Sequence, residues 1–292
     1  MALILPNGPA FAHWSDNLGT VSADGFADVG VAITPGTSNA DGDAVTLLSS
    51  LAHDCEYLVL AISGFGLSGS NSSALLDILV DPAGGTSWSE LIADLLCGYT
   101  SPIDYDGSGI LAVPLMYHFP VWIPAGASVG AMARCAHGSA FANAPRVVAY
   151  AAGGNKNPAS WWCGQRIETV GTFDADNSRG QVHTPGEDGT FSSWTSLGSP
   201  IASRAGALQY AVQGPGSSSV SGRVYRFEFG AGSSQIGPCC YRGMGAVEVG
   251  THFFPGPVFC DIPAGTQMQV RAAENNVSLS AQSLDCAAYL VQ

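Results

Sequence analysis

The sequence predicts an all-β protein made of two tandem antiparallel β-sandwiches that arose by internal duplication. The phrase Ile-Pro-Ala-Gly occurs at residues 123–126 and again at 262–265. Each copy is followed, at the same distance, by an Ala-Tyr pair at 149–150 and 288–289. The 37 glycines and 17 prolines divide the chain into short runs, which favours many strands joined by turns. A repeated unit of this kind implies a repeated supersecondary structure.

Alternating apolar residues locate the strands. In the second copy every other residue from Met268 to Ala272 is apolar, and the same holds from Val129 to Ala133 in the first copy. The inward faces coincide in the two copies, as a duplicated strand requires, because a slip of one residue would reverse them. Further strands are predicted at Tyr57–Ile62, Leu75–Val80, Leu208–Gln213, Arg223–Phe229 and Val258–Ile262.

One segment has a helical pattern. Within Ser87–Cys97, Leu91, Ile92 and Leu95 recur at helical spacing, and Ser87 is a suitable N-cap residue. The second copy has no similar segment, so we expect one short helix or turn inserted in the first module.

The repeat also sets the domain organisation. Residues 1–23 precede the repeat and are expected to form an N-terminal arm or an extra strand. The first sandwich is predicted at 24–150 and the second at 169–292, with 151–168 as a linker that contains Gly-Gly-Asn-Lys-Asn-Pro. A His-Phe pair at 118–119 and 252–253 suggests a structural hydrogen bond from an equivalent histidine in each module.

Charge is unusually scarce. Only 11% of the residues are charged, compared with about 25% in an ordinary soluble domain, and Lys156 is the single lysine. A surface so poor in charge predicts coverage by copies of the same chain or by partner chains. The alternative is a monomer covered by serine, glycine and threonine.

The net charge of −13 excludes several partners. Binding to the phosphates of nucleic acid needs a basic surface, and an anionic membrane also attracts basic segments. No apolar run approaches the roughly 18 to 20 residues of a membrane helix. The first residues do not resemble a secretory signal, so we expect synthesis and assembly in the cytoplasm of the host cell. The eight cysteines include no C-x-x-C, which favours buried thiols, with disulfides as the alternative.

No catalytic residue, metal ligand or cofactor is predicted. Gly64–Gly69 matches a nucleotide-binding glycine pattern, but too few residues follow for the helix and strand that such a fold needs. Asp104–Gly109 resembles half of a calcium loop, yet Leu115 stands where the bidentate glutamate belongs. Acidic turns explain this segment and Asp174–Asn177. The histidines are dispersed, and no nucleophile motif occurs.

Trp161 and Trp162 are the candidate binding residues. Exposed indole rings can stack on sugars, whereas buried ones contribute to a core or an interface. Adjacent residues of a strand point to opposite sides, so at most one of the two is expected to be exposed. Core or interface packing is the favoured interpretation, and glycan binding is the alternative.

The segment His118–Gly126 and its counterpart His252–Gly265 share the pattern aromatic, proline, apolar, Ile-Pro-Ala-Gly and alternating strand. In this the chain resembles accessory virion proteins of tailed bacteriophages and of the related gene transfer agents. The resemblance covers the repeated cores. It implies jelly-roll-like sandwiches that decorate heads, form head spikes or attach tail fibres, and that in some cases contact host-surface glycans.

The resulting hypothesis is a non-enzymatic virion component that assembles as a symmetric ring or trimer. Its expected partners are other copies of the chain, other virion proteins and a host-surface glycan. One alternative is a carbohydrate-binding, lectin-like protein with two modules. A second alternative is a polysaccharide-degrading enzyme, which would need two close carboxylates in one cleft.

Overall fold

The structure is a computed structural model. It describes residues 11–14, 30–63, 74–97, 115–135, 145–153, 162–172, 180–213, 224–232, 234–242, 257–275 and 284–292. Every regular element in these ranges is a strand, and the strands form four antiparallel sheets in sandwich-like pairs. The predicted all-β class is therefore confirmed. Within the same ranges there is no helix that could span a membrane.

Within the described residues, nine strands form the first module. Sheet 1 has the order β1-β9-β4-β7, with β2 also paired to β9, and sheet 2 has the order β3-β8-β5-β6. The strands are β1 (Phe11–Trp14), β2 (Val31–Ala32), β3 (Val45–Leu48), β4 (Tyr57–Ser63), β5 (Ala74–Asp81), β6 (Ser89–Leu96), β7 (Leu115–Phe119), β8 (Ser128–Cys135) and β9 (Arg146–Gly153).

The described part of the second module also has nine strands, in the same arrangement. Sheet 3 has the order β10-β18-β13-β16, with β11 on β18, and sheet 4 has the order β12-β17-β14-β15. Each strand of the first module therefore matches the strand nine places later. The strands are β10 (Ile167–Val170), β11 (Gln181–His183), β12 (Thr195–Ser196), β13 (Ala205–Gln213), β14 (Val224–Ala231), β15 (Ser234–Arg242), β16 (Val258–Ile262), β17 (Met268–Glu274) and β18 (Leu284–Val291).

The predicted inward faces are confirmed. Val129 on β8 and Met268 on β17 are both fully buried, as are the alternate residues that follow them, up to Ala133 and Ala272. Both strands lie in the middle of their sheets, so the apolar face of each packs in a sandwich core. Of the five other predicted strands, four lie within an observed strand. The fifth, Arg223–Phe229, lies within β14 from Val224 onward, and Arg223 is outside the described residues.

The helix predicted at Ser87–Cys97 is wrong, because this segment is the edge strand β6. Leu91 and Ile92 are buried, and so are Leu95 and Leu96. The register with β5 shifts between these two pairs of residues, so the regular alternation is interrupted. Buried pairs four residues apart then imitate the spacing of a helix. The segment also has a counterpart in the second module, since β15 pairs with β14 as β6 pairs with β5.

The ends of the modules are defined by strand pairing. Strand β1 pairs with β9 at the edge of sheet 1, β9 ends at Gly153, and β10 begins at Ile167. Leu58 faces Phe119 just as the equivalent Leu208 faces Val258. The position that matches His118 is thus Pro257 rather than His252, which lies outside the described residues.

Two hydrophobic cores follow from the two sandwiches. The inward residues of sheets 3 and 4 form the core of the second module, which includes Tyr210, Phe227 and Phe229. The core of the first module is larger, because outward-facing residues of sheet 3 also join it. These are Ile167, Ala207, Ala211, Ala287, Tyr289 and Val291. The second module therefore packs against the first through the outer face of sheet 3.

Candidate functional site

Tyr289 is the central residue of this packing. Its ring meets Tyr117 and Phe119 of β7 edge to face, with centroids 5.6 and 6.1 Å apart. Its hydroxyl accepts a hydrogen bond from the Leu96 N–H at 2.8 Å and donates one to the Asp94 carbonyl at 3.1 Å. Edge-to-face rings and satisfied polar atoms are the favourable way to bury a tyrosine. Tyr289 thus covers the edge of the first sandwich, where β6 and β7 lie.

A polar cluster surrounds the bulge of β6 at this interface. Asp94 has a positive φ of 56°, which turns its carboxylate and carbonyl toward the second module. Thr172 Oγ1 donates to Asp94 Oδ2 at 3.1 Å, and Thr169 Oγ1 donates to the Ala93 carbonyl at 2.7 Å. The irregular segment that imitated a helix is therefore the part of the first module that receives the second.

A half-buried arginine holds this bulge in place. Arg134 of β8 pairs with Asp94, and its Nη1 lies 3.2 Å from Asp77 Oδ2 and 3.6 Å from Asp41 Oδ1. The Asp94 N–H donates to Asp77 Oδ1 at 2.7 Å. Burial raises the pKa of Asp77 to about 6, and the hydrogen bond from Asp94 and the charge of Arg134 oppose this rise only in part.

Exposed aromatic side chains lie where the connector crosses between the modules. Trp122 donates its backbone N–H to the Gly164 carbonyl at 2.8 Å, two residues from Trp162. The ring of Trp162 lies against Gly206, where a Cβ atom would come within 2.5 to 2.8 Å of three ring atoms. The neighbouring Ala207 pairs with Phe259 of β16. We call Trp122, Trp162 and Phe259 the aromatic patch; they are 41%, 44% and 54% exposed.

A charged pair adjoins the aromatic patch. Arg204 donates from Nε and Nη2 to the two carboxylate oxygens of Asp261, each at 2.5 Å. Asp261 follows Phe259 by two residues, and both point away from the core because Val258, Cys260 and Ile262 face it. The hydrogen bonds from Arg204 lower the pKa of Asp261. The patch therefore combines apolar ring faces with a fixed, exposed ion pair.

The sequence identified part of this patch. Trp162 is exposed, while Trp161, Gly64–Gly69, Asp104–Gly109 and Asp174–Asn177 lie outside the described residues. Trp122 and Phe259 were missed, although each follows a residue that faces a core. A stricter use of alternation through the two Ile-Pro-Ala-Gly segments would have placed both side chains outside.

His183 is buried, with Nδ1 2.9 Å from Thr195 Oγ1 and Nε2 2.8 Å from Ser192 Oγ, and burial lowers its pKa to about 4. No group of three or more His, Cys, Asp and Glu side chains within the described ranges could hold a metal ion. The six cysteines described with their side chains are thiols that are not joined in disulfides: Cys55, Cys97, Cys135, Cys163, Cys260 and Cys286.

Comparison with known proteins gives only distant similarities. No model of a known protein family matches the chain, and no curated protein matches its sequence. Among solved structures, PNGF-II has a TM-score of 0.40 at 9% identity, over 90% of this chain and 65% of its own. The T13 particle of infectious bursal disease virus has a TM-score of 0.26 at 9% identity, over 97% and 69%. The chain thus spans about two thirds of the length of each, and similarities of this size assign no function.

Proposed function

We propose that this chain is a non-enzymatic structural component of a virion of a tailed phage or gene transfer agent. Its place would be a head spike, a head decoration or a fibre attachment. It would assemble as a symmetric oligomer with further virion proteins as partners. The observation that carries the proposal is the aromatic patch on a protein of which only 11% is charged. Exposed aromatic side chains in a surface poor in charge are typical of interface cores.

The ionisable groups at the module interface support a structural role. Asp77 and Asp94 are two close carboxylates, the arrangement that a polysaccharide-degrading enzyme would need. Arg134 binds both of them, and Asp77 is itself buried. Carboxylates held in this way stabilise the joint between the modules, which favours scaffolding over hydrolysis.

Particle association tests the proposal. The chain would be co-expressed with its neighbouring genes, and particles would be purified on a density gradient and imaged. We expect the chain to sediment with particles at a fixed copy number. A double variant, Trp122→Ser with Trp162→Ser, should lower its incorporation at least about tenfold. Val182→Ser with Val224→Ser is the matched control, because these side chains are similarly exposed elsewhere. A protein that never sediments with particles contradicts the proposal.

Glycan binding is the second candidate, and Trp162 supports it. Because its ring lies on the backbone of Gly206, the opposite ring face is available to an apolar sugar face, with the Arg204–Asp261 pair nearby for hydroxyl groups. A glycan array would test this reading. Binding that Trp162→Ala abolishes and Val182→Ser preserves would favour a lectin, particularly for a protein that stays monomeric in light scattering.

A further inference from the structure

The internal repeat gives each module the same two surfaces. One is the outer face of its five-stranded sheet, which we call the docking face. The other is the edge formed by the last strand of each sheet, which we call the receiving edge: β6 and β7 in the first module, β15 and β16 in the second. Within one chain, the docking face of the second module covers the receiving edge of the first. Among the described residues, the docking face of the first module and the receiving edge of the second are not covered in this way.

Equivalent residues of the two docking faces differ in burial. Four residues of the docking face of sheet 3 are completely buried, whereas the residues at the same register positions of sheet 1 are half-exposed. The buried set is Gln209, Ala211, Ala287 and Tyr289, and the matching half-exposed set is Val59, Ala61, Val148 and Tyr150. Two further positions, Tyr57 and Ala152 in sheet 1, are buried in both modules. The first module thus presents an apolar face of the kind that is covered in the second, including the repeated tyrosine.

The two receiving edges also differ in burial, but here the first module has the buried residues and the second has the half-exposed ones. Phe119 and Val121 of the first module are completely buried. The register places Val258 and Cys260 of the second module at these positions, and both are half-exposed. Ile236 on β15 is also half-exposed against its own core. An uncovered edge with apolar side chains is a surface on which another sheet can pack.

We propose that copies of this chain cover each other at these two surfaces. The docking face of the first module of one copy packs on the receiving edge of the second module of the next copy. Tyr150 would then occupy the place that Tyr289 occupies within the chain. This contact joins different surfaces of the two copies, so it is heterologous and extends head to tail into a closed ring or a filament. The proposal rests on the self-assembly included in the proposed function and specifies the surface responsible.

The contact between copies is weaker than the contact within the chain. Cys240 takes the register position of Leu96. The other residues that make hydrogen bonds at the interface within the chain are not repeated. Trp14 takes the register position of Thr169. Pro238, which pairs with Glu228, stands where the first module has Asp94 beside Asp77. Fewer hydrogen bonds predict a weak association that is complete only at high protein concentration.

Two complementary variants test the proposal. Ala61→Arg places a charge on the docking face of the first module, and Ile236→Arg places one on the receiving edge of the second. Each should raise the dissociation constant at least about 100-fold, because the contact would bury an unpaired charge. The readouts are native mass spectrometry and light scattering over a range of concentrations. Thr46→Arg, on an exposed position of sheet 2, is the control that should leave the association unchanged.

Mixing the two variants gives the decisive result. Ala61→Arg keeps its receiving edge and Ile236→Arg keeps its docking face, so an equimolar mixture should form a heterodimer that grows no further. Thermal unfolding of each variant checks that it folds. The inference is overturned if the parent protein is monomeric at high concentration, if neither variant weakens association, or if mixing restores nothing. Particle association through other virion proteins would still support the virion role in each of these cases, although a monomeric parent protein would contradict the symmetric oligomer.

Discussion

The two modules each bury an acid at the same position on the outer face of one sheet. This acid is Asp77 in sheet 2 of the first module and Glu228 in sheet 4 of the second. Each of these acids pairs with an arginine on the neighbouring central strand. The two arginines, Arg134 and Arg271, occupy different register positions in their modules. Arg134 binds Asp77 and also holds Asp94, whose carbonyl and carboxylate receive the second module.

Among the described residues, the arginine of the second module makes its contacts within its own module. Arg271 pairs with Glu228 at 2.6 Å, and its guanidinium lies 4.7 Å from the ring centre of Phe191 and 4.6 Å from that of Trp194. Cation–π contacts of this kind add about 0.5 to 1 kcal/mol each at partly exposed sites. The comparison teaches that both modules keep the buried acid but surround it with different residues. In the part of the chain that the structure describes, only the charge cluster of the first module takes part in the interface between the modules.

Truncation of the repeated tyrosines should give the largest difference in the free energy of unfolding between equivalent positions of the two modules. Tyr289→Ala leaves a cavity in the interface and removes the hydroxyl partner of the Leu96 N–H, so we expect a loss of about 5 kcal/mol in the free energy of unfolding. Tyr150→Ala, at a half-exposed position, should cost about 1 kcal/mol. Urea unfolding measures both. Tyr289→Phe should give an intermediate loss, and equal effects at the two tyrosines would contradict the assigned interface.

Exchange of the two arginines for methionine should give the next largest difference. Methionine is already present at Met132, which matches Arg271 in the register. Arg134→Met leaves two acidic groups at the module interface without their cation, and we expect a loss of about 3 to 4 kcal/mol. Arg271→Met should cost about 1 kcal/mol, because Arg226 remains beside Glu228. A larger loss for Arg271→Met in urea unfolding would reverse the comparison.

The same residues show what the sequence could and could not predict. Strand positions and inward faces followed from alternation, because residues such as Val129 and Met268 alternate with a period of two on central strands. The β6 bulge at Asp94 removed that period, and only the register with β5 identified the segment as a strand. Trp162 was identified as a candidate from composition alone. The module interface was not, because Tyr150 and Tyr289 are identical in sequence and differ only in what covers them.

The pH dependence of stability should reveal one buried titratable group in each module. The folded pKa of Asp77 is raised from 3.8 to about 6, so its contribution to stability is complete below pH 4 and is lost as the pH rises through 6. The folded pKa of His183 is lowered from 6.5 to about 4, so its contribution is complete above pH 6.5 and is lost as the pH falls toward 4.

Single variants separate these opposing slopes. Asp77→Asn should make stability fall on acidification from pH 6.5 to 4, whereas His183→Asn should make it rise, each by about 2 kcal/mol relative to the parent. Urea unfolding at a series of pH values measures the difference from the parent, in which the two contributions partly cancel. Parallel profiles for all three proteins would show that neither group titrates in this window.

The smallest expected effect concerns the pair Gln209 and Val59, which occupy equivalent positions on the two docking faces. Gln209 is completely buried, and among the described residues its side-chain oxygen has no hydrogen-bond partner. Its amide nitrogen only donates to the Tyr210 carbonyl at 3.3 Å. Gln209→Met should therefore stabilise the protein by about 1 kcal/mol, since it removes an unsatisfied buried oxygen and keeps the volume. Val59→Gln should change the free energy of unfolding by less than about 0.5 kcal/mol, because water reaches that face. A destabilised Gln209→Met variant in urea unfolding would mean that the amide specifies how the modules dock, and that the two faces differ in more than burial.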